Sequence, residues 1–532
     1  MTSLFDDFGF VAVVLQGFGF IAQSVLVGAT FFAVLVIPRD TRDAVAIAAR
    51  KASTVVEVAA LATIVVALAT ALLTAGMLVA TIQLAWRDVA SAPFVLAAIA
   101  KVAAASVVGT RLRNPDAGPS ARMTSIAAAL ALIAAAVADS HAIARLDHVA
   151  PLLIATYAHQ LGAGLWLGGL PCLWLTLRDA DPATARRIGR RYSTLAATGV
   201  ALIVGAAFVF AFEYIGSVEG LYGTAYGAMA GVKTLLLVLL LMLGFANFRT
   251  LHGALPDRVA VPRVRRFVEL EIAAGFAVLM AAASIASSSA AVDVVADRLS
   301  LPELAARMAP AVPAFESPAR DALSPIVAPG TVTASRTAGD RAWSAYNHHV
   351  AGLVIVLIGI AALLRHRRRL RWAAHWPLLI LLLGVFLLVR ADPEIWPLGS
   401  VGPFESLGDP EVLQHRLFVL LIAAFAIVEW RVQLGRIASP RMSRVFPLLM
   451  VAGGALLLTH SHAVADAKEQ LLIEMTHLPI AVLGVVAGSA RWLEVSTSHG
   501  EGRVGREGRV ARYVWPVALI LVGLILLEYR EA

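Results

Sequence analysis

Runs of about twenty apolar residues recur along the whole chain, separated by short segments rich in arginine. A run of that length spans roughly 30 Å of hydrocarbon as a helix, and in lipid only a helix or a closed barrel satisfies its own backbone. Hydrophobic residues make up 59% of the 532 positions and charged residues 15%, a balance that no water-soluble globule of this size could cover. About fourteen spans are expected, near 9–37, 54–84, 90–110, 123–142, 150–177, 193–215, 224–248, 267–289, 343–364, 375–390, 413–430, 445–463, 470–492 and 513–528. The expected class is therefore all-α, a polytopic transmembrane helix bundle. The first run is longer than a signal peptide's apolar region and has no basic stretch before it, so it reads as a retained span.

A net charge of +8 would suggest nucleic acid in a soluble chain, but here the basic residues sit in loops between apolar runs. Topology explains them, and no nucleic-acid partner is expected. One set of loops carries Arg39, Arg42, Arg50 and Lys51, then Arg111, Arg113 and Arg122, Arg186 to Arg191, Arg258 to Arg266, Arg365 to Arg371, Arg436 to Arg444, and Arg503 to Arg509. The alternate short loops carry only Arg87, Arg145, Arg390 and Lys468. The first set is assigned to the cytoplasm, which puts both termini on the outer side. Three parts follow: an eight-span unit over 1–290, an outer linker rich in Pro, Ala and Ser over 291–342, and a six-span, histidine-rich unit over 343–532.

The first eight spans read as two copies of a four-span unit, a parallel repeat. Lys101 and Lys233 occupy matching places in the third and seventh spans. A lysine inside a span needs a reason, and the simplest is that it snorkels outward or pairs with a buried carboxylate such as Glu57 or Glu213. The single cysteine, Cys172, excludes a disulfide framework and any cysteine-rich metal site.

The thirteen histidines are the informative residues. His252, His366 and His499 lie among cytoplasmic arginines, and His375 opens the tenth span on the same side. The others gather on the outer side. His348 and His349 open the ninth span, His415 opens the eleventh, His460 and His462 close the twelfth, and His477 lies about one turn inside the thirteenth. Four helices thus bring imidazoles to one membrane face, where unshared polar groups are costly and a metal ion is the simplest common partner. Glu474 and His477 are spaced i, i+3 on one helical face, and Asp466 lies in the preceding turn. Adjacent residues diverge by about 100° on a helix, so only one of His348 and His349 can serve as a ligand. A second set lies in the first half: His141 in Asp-Ser-His-Ala, and His159 in AHQLGAGLWLGGL. Methionines form no ladder for Cu(I), so a route for a soft metal would lean on imidazole. The residues nominate no catalytic set.

The stretch 141–290 resembles the bacterial copper resistance D family. The resemblance rests on Ser-His-Ala at 140–142, the glycine-rich 158–170 run, Arg-Arg-Tyr-Ser at 190–193, Leu-Tyr-Gly-Thr-Ala-Tyr-Gly at 221–227, Lys233, Asn247 to Arg249, and Arg-Phe-Val-Glu-Leu-Glu at 266–271. The family's most characteristic domain corresponds to about 186–290. The second half, marked by Thr-His-Ser-His-Ala at 459–463 and Glu-Met-Thr-His-Leu-Pro at 474–479, is similar to the extended membrane region of some members. The resemblance implies copper resistance or copper transport at a bacterial inner membrane, beside a separate periplasmic copper carrier. The word copper comes from the resemblance; spacing alone gives a metal at the outer face.

No G-x-x-x-x-G-K-[ST] motif is present, so transport would run on the ion's own gradient or on protons, with Lys101, Lys233, Glu213, Glu269 and Glu271 as candidate carriers. Two other readings stay open. A membrane haem protein or metal reductase would ligate haem through histidines on different helices, and a copper sensor or assembly partner would bind copper without moving it.

Overall fold

The computed structural model describes residues 8–39, 43–145, 148–310, 312–320, 323, 337–366, 370–393, 395–402, 404, 406, 410–459, 467–498 and 506–530. Every regular element among them is a helix. Among the described residues, eleven helical segments are long and apolar enough to cross a membrane, and Pro377–Arg390 and Met442–Leu457 are shorter apolar ones. The 24-residue helix Pro410–Gln433 lies between those two.

The chain divides into two compact units, one formed by Ala12–Leu221 with Lys233–Val295, the other by Met1–Val11, Tyr222–Val232 and Ala296–Ala532. The helices are α1 (Phe8–Phe31), α2 (Asp43–Ile82), α3 (Pro93–Arg111), α4 (Pro119–Ala138), α5 (Val149–Ala163), α6 (Leu170–Asp179), α7 (Pro182–Phe210), α8 (Ala225–His252) and α9 (Asp257–Ala286). They continue with α10 (Leu301–Met308), α11 (Ala338–Leu364), α12 (Pro377–Arg390), α13 (Pro410–Gln433), α14 (Val445–Leu457), α15 (Ala467–Ser498) and α16 (Arg506–Leu527).

In the first unit the helices come closest where side chains are smallest. A wide π-helical turn, Gly164–Gly168, joins α5 to α6, and α1 crosses it backbone to backbone. A Cβ on Gly28 would lie 2.2 Å from the carbonyl carbon of Gly168 and 2.3 Å from the carbonyl oxygen of Gly164. Lipid supplies no hydrophobic force between helices, so close van der Waals contact of this kind is what holds them. The crossing also sets a polar contact, Gln23 Nε2 donating to Gln160 Oε1 at 2.8 Å. Below it, Phe32, Leu170, Cys172, Leu173 and Tyr192 share one buried cluster.

The basic end of this unit is tied by Arg186. Its guanidinium donates to the carbonyls of Leu251 (2.7 Å) and Leu255 (2.6 Å), and to Asp257 Oδ1 (2.7 Å). Leu251 lies in the last turn of α8, where a cation meets the negative end of the helix dipole, and Leu255 lies in the connection to α9. Lys101 is paired with Asp139 at 2.7 Å. A carboxylate partner was expected, but Glu57 instead meets Arg113 at 3.5 Å and Glu213 meets His148 at 3.0 Å.

In the second unit, α16 packs on both α11 and α15, α14 packs on α15, and α12 packs on α13. Gly352 of α11 and Gly523 of α16 face each other: a Cβ on either would lie 2.6–2.7 Å from the other's carbonyl oxygen. The segment before α11 carries order of its own. α10 opens on a reciprocal Ser300–Glu303 capping box. Leu299 packs on Leu471 and Leu472, and Glu303 meets Lys468 at 3.0 Å. The Ser300 backbone N–H and hydroxyl, and then Lys468, hold the Glu303 carboxyl down to about 2. The contribution of this carboxylate is therefore present above its ordinary range near 4 and fades as pH falls toward 2.

The backbone crossing at Gly28 makes a direct prediction. Gly28→Ala forces the two helices apart because backbone cannot yield as a side chain does, and should cost about 1–3 kcal/mol or more. Gly76, in α2, has nothing within 4 Å of its would-be Cβ, so Gly76→Ala should gain up to about 1 kcal/mol from helix propensity. Melting of the detergent-solubilised variants checks both. Equal melting temperatures for the two would remove the crossing from the account.

Candidate functional site

Two places collect the residues that the sequence singles out, one in each unit.

In the histidine-rich unit the close Gly352–Gly523 approach brings the end of α16 against the start of α11, one turn from His348. The ring of Tyr529, 2% exposed, stacks on the His348 imidazole with centroids 3.7 Å apart. His477, from α15, stands edge-on to both rings: 6.1 Å from His348 and 6.0 Å from Tyr529, at 81° and 82°. Each imidazole is oriented by its own helix. His348 Nδ1 donates to the Ser344 carbonyl and His477 Nδ1 donates to the Ile473 carbonyl, both at 2.8 Å. A carbonyl only accepts, so each of the two rings carries a proton on Nδ1. A carbonyl behind a histidine is how metal sites fix tautomer and ring direction. Two imidazoles on one ion hold their centres about 5–6 Å apart, given metal–nitrogen bonds of about 2 Å. Glu474 lies one turn before His477 and is 8% exposed.

His349 does something else. It is 5% exposed, and both ring nitrogens meet backbone. Nε2 donates to the Tyr529 carbonyl at 3.0 Å and Nδ1 accepts from the Ala314 N–H at 2.8 Å. With both nitrogens used, His349 fastens the 312–320 segment and the end of α16 to α11, and His348 is the ring of the adjacent pair that faces His477. His415 Nδ1 meets Asp392 Oδ1 at 2.6 Å, and Asp392, 5% exposed, is also 3.6 Å from Arg416. His460, His462 and Asp466 lie outside the described residues. Among the described residues, no group of three or more His, Cys, Asp or Glu stands at metal-binding separation. The described part of the expected four-helix focus is thus the His348–His477 pair with Tyr529.

In the first unit, His141 opens a short 3-10 turn, His141–Ala144, and its side chain lies outside the described residues. His159, on α5, meets the ring of Phe210 edge-on at 5.4 Å. It bonds the Ile203 backbone and feels the charge of Lys233 from α8. Its buried Nδ1 has no partner among the described residues. Deeper in the bundle, Glu271 of α9 is 2% exposed and accepts from Asn247 Nδ2 at 2.8 Å and from the Trp166 side chain. Trp166 is held in turn by the Tyr192 hydroxyl, which donates to its carbonyl. Glu269, two residues earlier, accepts from Trp174 Nε1 at 2.9 Å. Reading the sequence nominated Glu271, but not the Asn247 and Trp166 that hold it. The signal was the polar Asn247 near the end of an apolar helix.

Removing the His349 ring strips partners from two backbone groups, the Ala314 N–H and the Tyr529 carbonyl. His349→Ala should cost about 1–3 kcal/mol, read as a lower melting temperature, while His348→Ala should melt close to wild type. Inverse behaviour of the two variants would reverse the roles assigned here.

Residues 186–285, from the start of α7 to the end of α9, match the family model of copper resistance protein D. The matched stretch contains Lys233, Asn247 and Glu271, and it ends before the His348–His477 pair. The copper transport protein CutJ of Bacillus subtilis (strain 168) is 32% identical over 139 residues, which is 25% of this chain and 25% of that protein. The chain thus covers about a quarter of the length of that curated relative. No solved structure matches. The likeness to copper resistance protein D that the sequence motifs carried holds over 186–285, within a chain of many apolar helices.

Proposed function

We propose that this protein is a copper transporter of a bacterial inner membrane that takes up the ion at a histidine site on its outer face. The observation that carries the proposal is the His348–His477 pair: two imidazoles from different helices, 6.1 Å apart, each turned by a carbonyl on Nδ1. Copper is the cargo, and imidazole nitrogens suit it. Glu474, Asp466, His460 and His462 complete the donor set in this reading, and His415 flanks it with its ring held by Asp392. The match to copper resistance protein D over 186–285 and the likeness to a copper transport protein support copper as the metal. His141 and His159, with the Glu271–Asn247 pair, form the onward site in the 1–290 unit.

The same proposal takes fourteen spans, with a parallel four-helix repeat in the first eight. It takes the arginine-rich loops as cytoplasmic, both termini as periplasmic, and a separate periplasmic carrier as the donor of the ion. Transport without a nucleotide motif draws on the ion's gradient or on protons rather than on an enzymatic cycle.

Metal analysis of the purified protein after copper loading and desalting tests the site. His460→Ala with His462→Ala, and His348→Ala with His477→Ala, should each lower bound copper several-fold, while His349→Ala leaves it unchanged. Unchanged stoichiometry in both double variants would reject imidazole capture. The pH profile gives a second test. Copper needs the unprotonated nitrogen, and an ordinary imidazole takes a proton near pH 6.5. Binding should therefore be full above about pH 7 and fall steeply below about pH 6. An absorption spectrum without a Soret band removes the haem reading, and copper uptake into proteoliposomes separates a transporter from a sensor.

A further inference from the structure

A groove of about 570 Å3 lies between α15 and α16, and the copper reading does not use it. α15 lines it with Leu483 and Val486, and α16 with Val514, Val517, Ala518 and Leu521. Ala518 is buried, while Val517 and Leu521 are exposed. The walls therefore face lipid, and the small residue between them leaves the room. The polar residues of the groove gather at one end. Arg509, Arg512 and Tyr513 all belong to the first two turns of α16.

The order along α16 is informative. Arg509, Tyr513, Val517 and Leu521 follow one another at i, i+4 and share one face. A cation comes first, then a phenol, then two aliphatic side chains. From 509 to 521 the helix rises about 18 Å, close to one leaflet of a hydrocarbon core roughly 30 Å thick. Arg512 is held in place by its surroundings. Its Nη2 donates to the Tyr513 hydroxyl at 2.8 Å, and its guanidinium carbon lies 4.6 Å from the centre of that ring. Its carbonyl accepts from His366 Nε2 at 3.0 Å, which fixes the turn. A guanidinium has five N–H groups, and the Tyr513 hydroxyl takes only one. Arg509 is exposed and has no ion pair among the described residues. The nearby carboxyl groups do not serve this end of the groove. Glu494 accepts from Arg491 and Trp515, and Glu507, two residues from Arg509 and so on another face of the helix, is not part of the lining.

We propose that this groove is a binding site for one anionic phospholipid of the bilayer, with an acyl chain along Val514, Val517 and Leu521 and the phosphate on Arg509 and Arg512. The face of α16 repeats the order of the lipid itself: charge, interface, chain. A guanidinium meets a phosphate through two parallel N–H bonds, and a basic pocket between spanning helices is where an anionic headgroup gains most over a neutral one. A choline headgroup brings its own cation, which the two arginines repel, so the pair discriminates by charge. Tyr513 stands between the arginines and the aliphatic stretch, as amphipathic rings do at the headgroup level. A lipid seated there bridges α15 and α16. The site is separate from the histidines and does not depend on copper transport.

Native mass spectrometry of the purified, full-length protein, titrated with dioleoyl phosphatidylglycerol or dioleoyl phosphatidylcholine, tests the site. Wild type should bind one phosphatidylglycerol about tenfold more tightly than phosphatidylcholine. The preference should disappear when Arg509→Gln and Arg512→Gln are combined, and should shrink at high salt. It should persist in Arg436→Gln, which removes an exposed arginine of the same unit from outside the groove. Val517→Trp fills the groove and leaves both arginines, and it should release the bound lipid. If the paired arginine variant does not fold, Arg509→Gln alone and Val517→Trp still decide. Equal binding of the two lipids by wild type, or an unchanged preference in the paired variant, would overturn the proposal. So would an equal loss in Arg436→Gln, which would reduce the effect to general surface charge. Glycerol 3-phosphate filling the site at the concentrations that suffice for phosphatidylglycerol would assign it to a soluble phosphate instead. A lipid-free dimer that Val517→Trp dissociates would assign the groove to a second copy of the chain and equally overturn lipid binding.

Discussion

Hydrocarbon neither donates nor accepts a hydrogen bond, and every polar group within a span of this chain has to be answered from inside the protein. That constraint orders the structure at each level. It makes every regular element among the described residues a helix. It draws Lys101 onto Asp139 and Arg491 onto Glu429 and Glu494. It also explains why helices cross at glycine. With no hydrophobic force between helices in lipid, contact has to come from packing, and Gly28 on Gly164 and Gly168, or Gly352 on Gly523, gives the closest packing backbone allows.

The polar residues and the glycines act together. Gly352 lets α16 reach α11, and that approach lays the Tyr529 ring on His348 and the Tyr529 carbonyl on His349. In the first unit the wide π-helical turn at Gly164–Gly168 fixes Trp166, whose side chain reaches Glu271 in α9. In each case a position without a side chain fixes where a chemically active side chain ends up.

How much of this could be read from the sequence follows from what is local. Apolar runs are local, and the long helices fall where hydropathy puts them. The i, i+3 relation of Glu474 and His477 is local too, and so was the expectation that His348 and His349 would take different roles. Which of the two would face His477 was not readable, because it depends on where the Tyr529 carbonyl comes to rest, 180 residues later. Lys101 was expected to snorkel or to pair with a buried carboxylate; it pairs with Asp139, which is exposed, rather than with Glu57 or Glu213. That choice is set by how α3 packs on α4, which no spacing rule encodes. The Arg491 cluster was missed for a different reason. Glu429, Arg491 and Glu494 sit at the ends of apolar runs beside the arginine-rich loops, where charge is expected and so carries no signal. Their burial, which makes them informative, appears only once α13, α15 and α16 are packed.

The two polar sites of the histidine-rich unit differ in chemistry. Along one stretch of α15 the groups are imidazoles turned by a backbone carbonyl on Nδ1, a donor type that suits a borderline metal ion. Further along the same helix the groups are carboxyl, amide and guanidinium, which make poor soft-metal ligands. One helix, α15, contributes His477 to the first and Arg491 to the second, and Arg491 is answered inside the bundle by Glu429 and Glu494. Burying that guanidinium is tolerated only because both carboxylates meet it there.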